Sequence, residues 1–206
     1  MISIIDYKAG NLTSVERALK YLGVPCRITD KPQEILSSER VIFPGVGAAG
    51  KAMEVIQAGN LNRVIREVID RKIPFLGICL GTQIILERSE EDNAKCLGII
   101  PGTVKRFPPV GIKIPHMGWN HISMKRRHPI LRNIDPRGQF YFVHSYYPEP
   151  ENREDIIAVT DYGIQFASIL GHGNVVATQF HLEKSGKHGL EILRNFTRWD
   201  GETETC

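Results

Sequence analysis

An apolar run that ends at a cysteine between two glycines constrains this chain more than any other stretch. Ile73 to Leu76 is long enough for one buried strand, and Gly77-Ile78-Cys79-Leu80-Gly81 follows at once. Ile84, Ile85 and Leu86 then resume the apolar pattern as the inner face of a helix would. Strand, Gly-x-Cys-x-Gly and helix together make the thiol version of a nucleophile elbow, a tight turn that pushes the thiol outward. Glycines two residues either side let neighbouring backbone approach. Cys79 then sits at a helix N-terminus, where unpaired N–H groups and the helix dipole favour a thiolate. The Leu80 N–H points at an oxyanion forming on an attacked carbonyl. The bland alternative is a buried strand cysteine with chance glycines.

A nucleophile needs a base, and Val175-Val176-Ala177-Thr178-Gln179-Phe180-His181-Leu182-Glu183 offers one. The run reads as a strand ending in polar groups, on which side chains two apart share a face. Glu183 can then accept from one ring nitrogen of His181 while the other nitrogen faces a thiol. A base of this kind contributes about 10²–10⁴-fold. Without the elbow, a surface His and Glu at a strand end would be the better reading; with it, the pair is.

The 206 residues suit one domain, expected over residues 1–200, with the polar stretch 201–206 as a fraying tail. A net charge of +3 is too small to argue for nucleic acid, and the basic cluster Lys125-Arg126-Arg127-His128 lacks interleaved aromatics. Four cysteines (Cys26, Cys79, Cys96, Cys206) show no C-x-x-C spacing, so neither a metal site nor a disulfide framework is indicated. No apolar run approaches membrane-spanning length and the N-terminus has no leader pattern, which predicts a cytoplasmic protein without membrane contact.

Along the chain, Ile2 to Ile5, Cys26 to Thr29 and Val41 to Phe43 read as buried strands. Helical spacing recurs at Leu12, Val15, Leu19 and Leu22, with Thr13-x-x-Glu16 as a capping box and Gly23 as the stop. Lys31 to Ser38 reads as a short helix, and another surrounds Leu61, Val64, Ile65, Val68 and Ile69. Strands alternating with helices predict a doubly wound α/β fold with a mixed, mostly parallel sheet. From about Asn93 the pattern changes to short strands broken by Pro and Gly, with a hairpin signal at Gly171-His172-Gly173-Asn174. A last helix spans Lys187 to Trp199.

Gly45-Val46-Gly47-Ala48-Ala49-Gly50 satisfies G-x-G-x-x-G, but it follows the third strand and not the first, so it is weak evidence for a dinucleotide site. The same glycines suit a loop that brings backbone N–H groups to a carbonyl beside the nucleophile.

Several strings, in this order, resemble the class I (triad) glutamine amidotransferases, whose glutaminase module pairs a Gly-x-Cys-x-Gly elbow with a late His-Pro-Glu. They are Asp6-Tyr7 with Gly10-Asn11, Pro44 to Gly47, Gly77 to Gln83, Pro115 to Asn120, His144-Ser145-Tyr146, and Gln179 to Ser185. Within that class they resemble the branch that serves imidazole glycerol phosphate synthases in histidine biosynthesis. Two positions depart: Leu182 replaces the usual Pro, which would fix φ between base and orienter, and Lys8 stands where Gly is common.

The resemblance implies a flavodoxin-like α/β fold and a catalytic triad of Cys79, His181 and Glu183. It puts oxyanion donors on Val46 and Leu80, and glutamine contacts on Gly47, Gln83, His144, Ser145 and Tyr146. No metal or organic cofactor is implied. The ammonia goes to a (β/α)8 cyclase subunit of the synthase, with which the chain forms a heterodimer through the Pro115 to Asn120 loop, Trp119 and Asn120 included, together with Asn11, Tyr141 and Lys184. That partner makes imidazole glycerol phosphate and an aminoimidazole carboxamide ribotide. Rival readings are a paralogous glutaminase feeding another synthase, such as one aminating a sugar, a free-standing cysteine hydrolase, or a non-catalytic subunit. A switch is also expected: the glycines around Val46 would let one peptide flip its N–H towards the oxyanion when the partner is loaded.

Overall fold

The computed structural model describes residues 1–8, 11–109 and 111–202. In chain order the first half gives β1 (Ile2–Ile5), α1 (Leu12–Tyr21), β2 (Cys26–Thr29), α2 (Pro32–Leu36), β3 (Arg40–Gly45), α3 (Ala49–Ala58), α4 (Leu61–Asp70), β4 (Phe75–Cys79) and α5 (Leu80–Ile84). Then come β5 (Arg88–Ser89), β6 (Ala94–Lys95), β7 (Gly102–Arg106), β8 (His116–His121), β9 (Ser123–Met124), β10 (Gln139–His144) and β11 (Tyr146–Pro150). The chain closes with β12 (Ile156–Tyr162), β13 (Ile164–His172), β14 (Val175–Thr178) and α6 (Gly186–Arg198).

Among the described residues the main sheet runs β2-β1-β3-β4-β14-β13-β12-β9. Its β2, β1, β3, β4 and β14 are mutually parallel, and β13, β12 and β9 continue it antiparallel. The mixed, mostly parallel sheet expected from the sequence is therefore present. Parallel strands need cover on both faces, so they read as unbroken apolar runs. Ile4, Ile42, Leu76 and Val176 pack on one side with Val15 and Leu19 of α1 and Ile192, Leu193 and Phe196 of α6. Ile5, Val41, Phe43 and Phe75 pack on the other with Ile56 of α3 and Val64, Ile65 and Val68 of α4. β4 lies between β3 and β14, so the elbow after it is flanked by the ends of both neighbours.

Several local expectations differ from the structure. α3 is absent from the sequence reading above, because Ala49 and Ala52 carry little apolar area and its start overlaps the glycine run. α1 begins at Leu12 with Asn11 as its cap residue, so Thr13 lies inside the first turn and forms no capping box; Asn11 instead accepts from the Ser14 hydroxyl. Residues His116 to Asn120 are not a loop but part of β8, paired antiparallel with β10 from His116↔His144 to His121↔Gln139. β14 stops at Thr178, so His181 and Glu183 do not lie on a strand. The hairpin at Gly171 to Asn174 joins β13 and β14 as expected. Of the expected tail, Gly201 is buried and Glu202 accepts from Trp199 Nε1 at 2.6 Å, while 203–206 lie outside the described residues.

Candidate active site

Cys79 ends β4 with φ 54° and ψ −103°, a left-handed backbone that a side chain tolerates only when its surroundings enforce it. The flanking glycines are the enforcement. A Cβ on Gly77 would come within 2.8 Å of the Gly81 carbonyl group, and one on Gly81 would run into the Phe43 carbonyl. Leu80 is the first residue of α5, where an N–H has no intrahelical acceptor. α5 spans only 80–84, so its dipole is a smaller aid to the thiolate than the sequence suggested. Thr82 Oγ1 donates to Thr178 O at 2.6 Å and ties this turn to β14.

β3 brings the second loop alongside. Gly45 pairs with Cys79, so Val46 is the next backbone unit beside the thiol. Its N–H, however, donates to Tyr7 Oη at 3.1 Å, and Tyr7 Oη donates back to Val46 O at 3.2 Å. Tyr7 is buried and stacks on Phe43 with ring centroids 4.9 Å apart. Burial holds its phenol above the ordinary value, against the lowering effect of the Val46 hydrogen bond. The G-x-G-x-x-G run leads into α3, where Glu91 accepts from Ala49 N at 2.8 Å. A carboxylate therefore stands where a dinucleotide phosphate would sit, which argues against that reading.

After β14 the chain turns, and His181 N donates to Tyr141 O at 3.0 Å. Leu182 to Lys184 then form a single 3-10 turn that carries Glu183 back over the imidazole. His181 Nδ1 and Glu183 Oε1 are 2.8 Å apart, with both side chains 2% exposed. The pair was expected from strand alternation; a 3-10 turn makes it instead. Burial opposes the imidazolium, but hydrogen bonding and charge from Cys79 and Glu183 prevail and push the pKa of His181 up to about 10. His181 Nε2 is buried without a well-formed hydrogen bond among the described residues. It lines the same cavity as Cys79. Leu182 is buried and begins the 3-10 turn, a position where a backbone N–H has no intrahelical acceptor.

The cavity measures about 430 Å³, within the range that holds a small ligand, and Val46, Gly47, Leu80, Gln83, His144, Ser145 and Tyr146 all line it. It also includes Glu91, which sequence reasoning missed; in Glu90-Glu91-Asp92 it reads as a solvated acidic run. Burial raises the pKa of Glu91 despite its bond to Ala49.

A hydrogen-bonded chain runs behind the cavity wall. Gln179 Nε2 reaches Cys79 Sγ at 3.8 Å, and Gln83 Nε2 donates to Gln179 Oε1 at 3.2 Å and to Tyr146 O at 2.9 Å. His144 Nδ1 meets the same carbonyl at 2.8 Å, which assigns the proton to Nδ1 and leaves Nε2 to accept from His116 Nδ1 at 3.0 Å. His116 Nε2 then accepts from Asn120 Nδ2 at 3.3 Å. Burial pushes the pKa of His116 down to about 4 and that of His144 to about 3, so both rings are neutral. His144 thus acts on the wall through Tyr146.

The residues expected to face a partner divide. Met117 and Trp119 point outward from β8, 61% and 54% exposed. Trp119 meets Tyr141 edge-on at 6.0 Å between centroids, and Lys184 Nζ lies 6.0 Å from the centre of the same ring. Asn120 lies on the opposite face of β8, and its amide goes to His116 and to Asp161 O. Asn11 is half-buried at the start of α1. Among the described residues no group of three His, Cys, Asp or Glu side chains could hold a metal ion. No helix among them is long and apolar enough to cross a membrane.

Comparison with known proteins adds an independent line. A family model described as glutamine amidotransferase class-I matches residues 3–199. The imidazole glycerol phosphate synthase subunit HisH of Nitratidesulfovibrio vulgaris (strain Hildenborough) is 50% identical over 206 residues, covering 97% of this chain and 96% of its own. The subunit of the same name from Dehalococcoides mccartyi (strain ATCC BAA-2266) is 48% identical over 197 residues, with 95% and 96% covered. A crystal structure of a glutamine amidotransferase superposes with a TM-score of 0.72 at 16% identity, covering 98% of this chain and 99% of its own. The structure of PurLQS from Thermotoga maritima gives 0.74 at 15%, with 96% and 97% covered. At those identities the two structures speak for the fold alone.

Proposed function

The chain belongs to the class I glutamine amidotransferases as a glutaminase subunit of imidazole glycerol phosphate synthase, and we propose that the Cys79 cavity hydrolyses glutamine as follows. The Cys79 thiolate attacks the side-chain amide carbon, forming a C–S bond and an oxyanion. Leu80 N–H holds that oxyanion, joined by Val46 N–H once it leaves Tyr7. The His181 imidazolium gives its Nε2 proton to the departing nitrogen, the C–N bond breaks, and ammonia leaves a glutamyl thioester. Water attacks the thioester, Nε2 takes its proton, and glutamate leaves as the C–S bond breaks. Glu183 holds the ring in the orientation this requires. Gln83, Glu91 and the Ser145-Tyr146 edge receive the amino-acid end of glutamine, with Glu91 suited to its ammonium group.

One observation carries this reading: a buried Nε2 that makes no well-formed hydrogen bond among the described residues shares a cavity with a cysteine held at positive φ, while Nδ1 is fixed by a carboxylate at 2.8 Å. Ammonia passes to a separate (β/α)8 cyclase that docks on the face bearing Trp119, Tyr141 and Lys184, giving a cytoplasmic heterodimer. That partner joins the nitrogen to its phosphoribulosyl substrate and releases imidazole glycerol phosphate and an aminoimidazole carboxamide ribotide. Near-full-length relatives of one name favour this acceptor over a sugar-aminating synthase. A diazoketone analogue of glutamine tests the site: mass spectrometry should find it on Cys79, and labelling of Cys26, Cys96 or Cys206 instead would overturn the assignment.

A further inference from the structure

We propose that Tyr7 is a positioning residue for glutamine hydrolysis: its hydroxyl clasps the Val46 backbone with the N–H turned away from the oxyanion, and turnover requires that clasp to open. The proposal rests on the glutaminase reading above and assigns to Tyr7 a role in it.

A hydroxyl has one proton and two lone pairs, so it can accept from an N–H and donate to a C=O at once. Tyr7 Oη does both with a single residue, accepting from Val46 N at 3.1 Å and donating to Val46 O at 3.2 Å. The two peptide planes that flank Val46 are thereby pinned together. An N–H aimed at Tyr7 is not aimed at a carbonyl bound over Cys79, so the clasp and the oxyanion compete for one donor.

The surroundings decide which side moves. Tyr7 is 1% exposed and stacked on Phe43, so the ring stays. Gly45 is held by its pairing with Cys79, and it is packed so closely that a Cβ there would lie 2.8 Å from Leu80 Cβ and 3.1 Å from Tyr7 Oη. Val46 is 40% exposed, and its side chain offers little resistance to turning. Gly47 has φ +98° and open space around it, so it can absorb the rotation. The two glycines therefore play different parts. Gly45 admits the phenol and the elbow, and Gly47 is the hinge. A Gly45→Pro substitution would not isolate a peptide flip, because the added ring atoms would strike both neighbours.

Tyr7→Phe removes the hydroxyl and keeps the stack on Phe43. Glutamate release from glutamine should be measured for wild type and variant, as the chain alone and with the cyclase. The clasp predicts that kcat of the chain alone rises on the order of tenfold, the effect of losing two modest hydrogen bonds. KM should stay within about threefold, and stimulation by the loaded cyclase should shrink by the factor that the basal rate gains. An unchanged or lower basal kcat in a folded variant would overturn the proposal. If Tyr7→Phe does not fold, Tyr7→Leu serves the same comparison. Exchange of the Val46 amide in the wild-type chain gives a further reading: slow exchange supports the clasp, and exchange at the rate of an open loop contradicts it. If the wild-type complex releases no glutamate, the glutaminase reading itself fails; if it does and the variants gain nothing, only the role of Tyr7 fails.

Discussion

His181 N donates to Tyr141 O at 3.0 Å, so the proposed base and the aromatic ring between Trp119 and Lys184 share one backbone hydrogen bond. Ser185 Oγ holds the same segment from both sides, donating to His181 O and accepting from Tyr141 N. A partner seated on Tyr141 would therefore bear on β10, whose backbone is hydrogen-bonded directly to the segment that carries the base. Trp119→Ala should weaken assembly by about 2 kcal/mol or more, as a well-exposed aromatic anchor would. Calorimetric titration against the cyclase measures this, and unchanged affinity would move the interface elsewhere.

The base and its orienter should differ in weight. His181→Asn should lower kcat for glutamine by about 10²-fold or more, because it removes the proton carrier. Glu183→Gln should cost less, since the ring remains. If Glu183→Gln equals wild type in turnover, the orienting role is wrong. The same pair predicts a pH effect on stability. The folded pKa of His181 is raised from 6.5 to about 10, so its contribution is complete below 6.5 and is lost as pH rises towards 10. The melting difference between wild type and His181→Asn should narrow across that window.

Leu182→Pro should leave kcat within about tenfold of wild type, or raise it. Leu182 begins the 3-10 turn, where proline's missing N–H is harmless. Its side chain is buried, however, so the smaller ring should destabilise the fold by about 1–2 kcal/mol. Turnover and melting temperature of the variant separate the two effects.

The neutral histidine pair behind the cavity predicts acid sensitivity. His116 and His144 have folded pKa values depressed to about 4 and about 3 by burial, so their contribution is present above the ordinary value of 6.5 and is lost as pH falls towards 4. His116→Phe keeps the stack between Tyr162 and Phe142 but leaves His144 Nε2 and Asn120 Nδ2 without this partner. It should melt lower at pH 7 by the equivalent of about 1–3 kcal/mol, yet lose less on going to pH 5 than wild type does. An equal loss in both would mean that His116 does not carry the effect.

What the sequence reveals about this site depends on how local each feature is. The elbow is legible because strand, glycines and thiol are consecutive and each glycine is needed for a named close approach. The His181–Glu183 pair is legible by its spacing, although a 3-10 turn and not a strand creates it. Gln179 is not, because its partner Gln83 lies 96 residues away and meets it only through the pairing of β14 with β4. Tyr7 and Val46 are likewise joined by neighbouring strands and not by any motif. Glu91 looks like part of a solvated acidic run until α3 is seen to start beneath it. α3 itself is hidden by the glycines and alanines at its start, and the burial of Ala49 and Ala52 depends on the sheet they cover.

If Cys79 performs glutamine hydrolysis while the acceptor chemistry lies in another polypeptide, Cys79→Ala in complex with the cyclase separates the two. Synthesis is measured once with glutamine and once with ammonium salt as the nitrogen source. The variant complex should give no glutamine-dependent product and an ammonia-dependent rate equal to that of wild type. Glutamine-dependent synthesis that survives the substitution would contradict that role of Cys79.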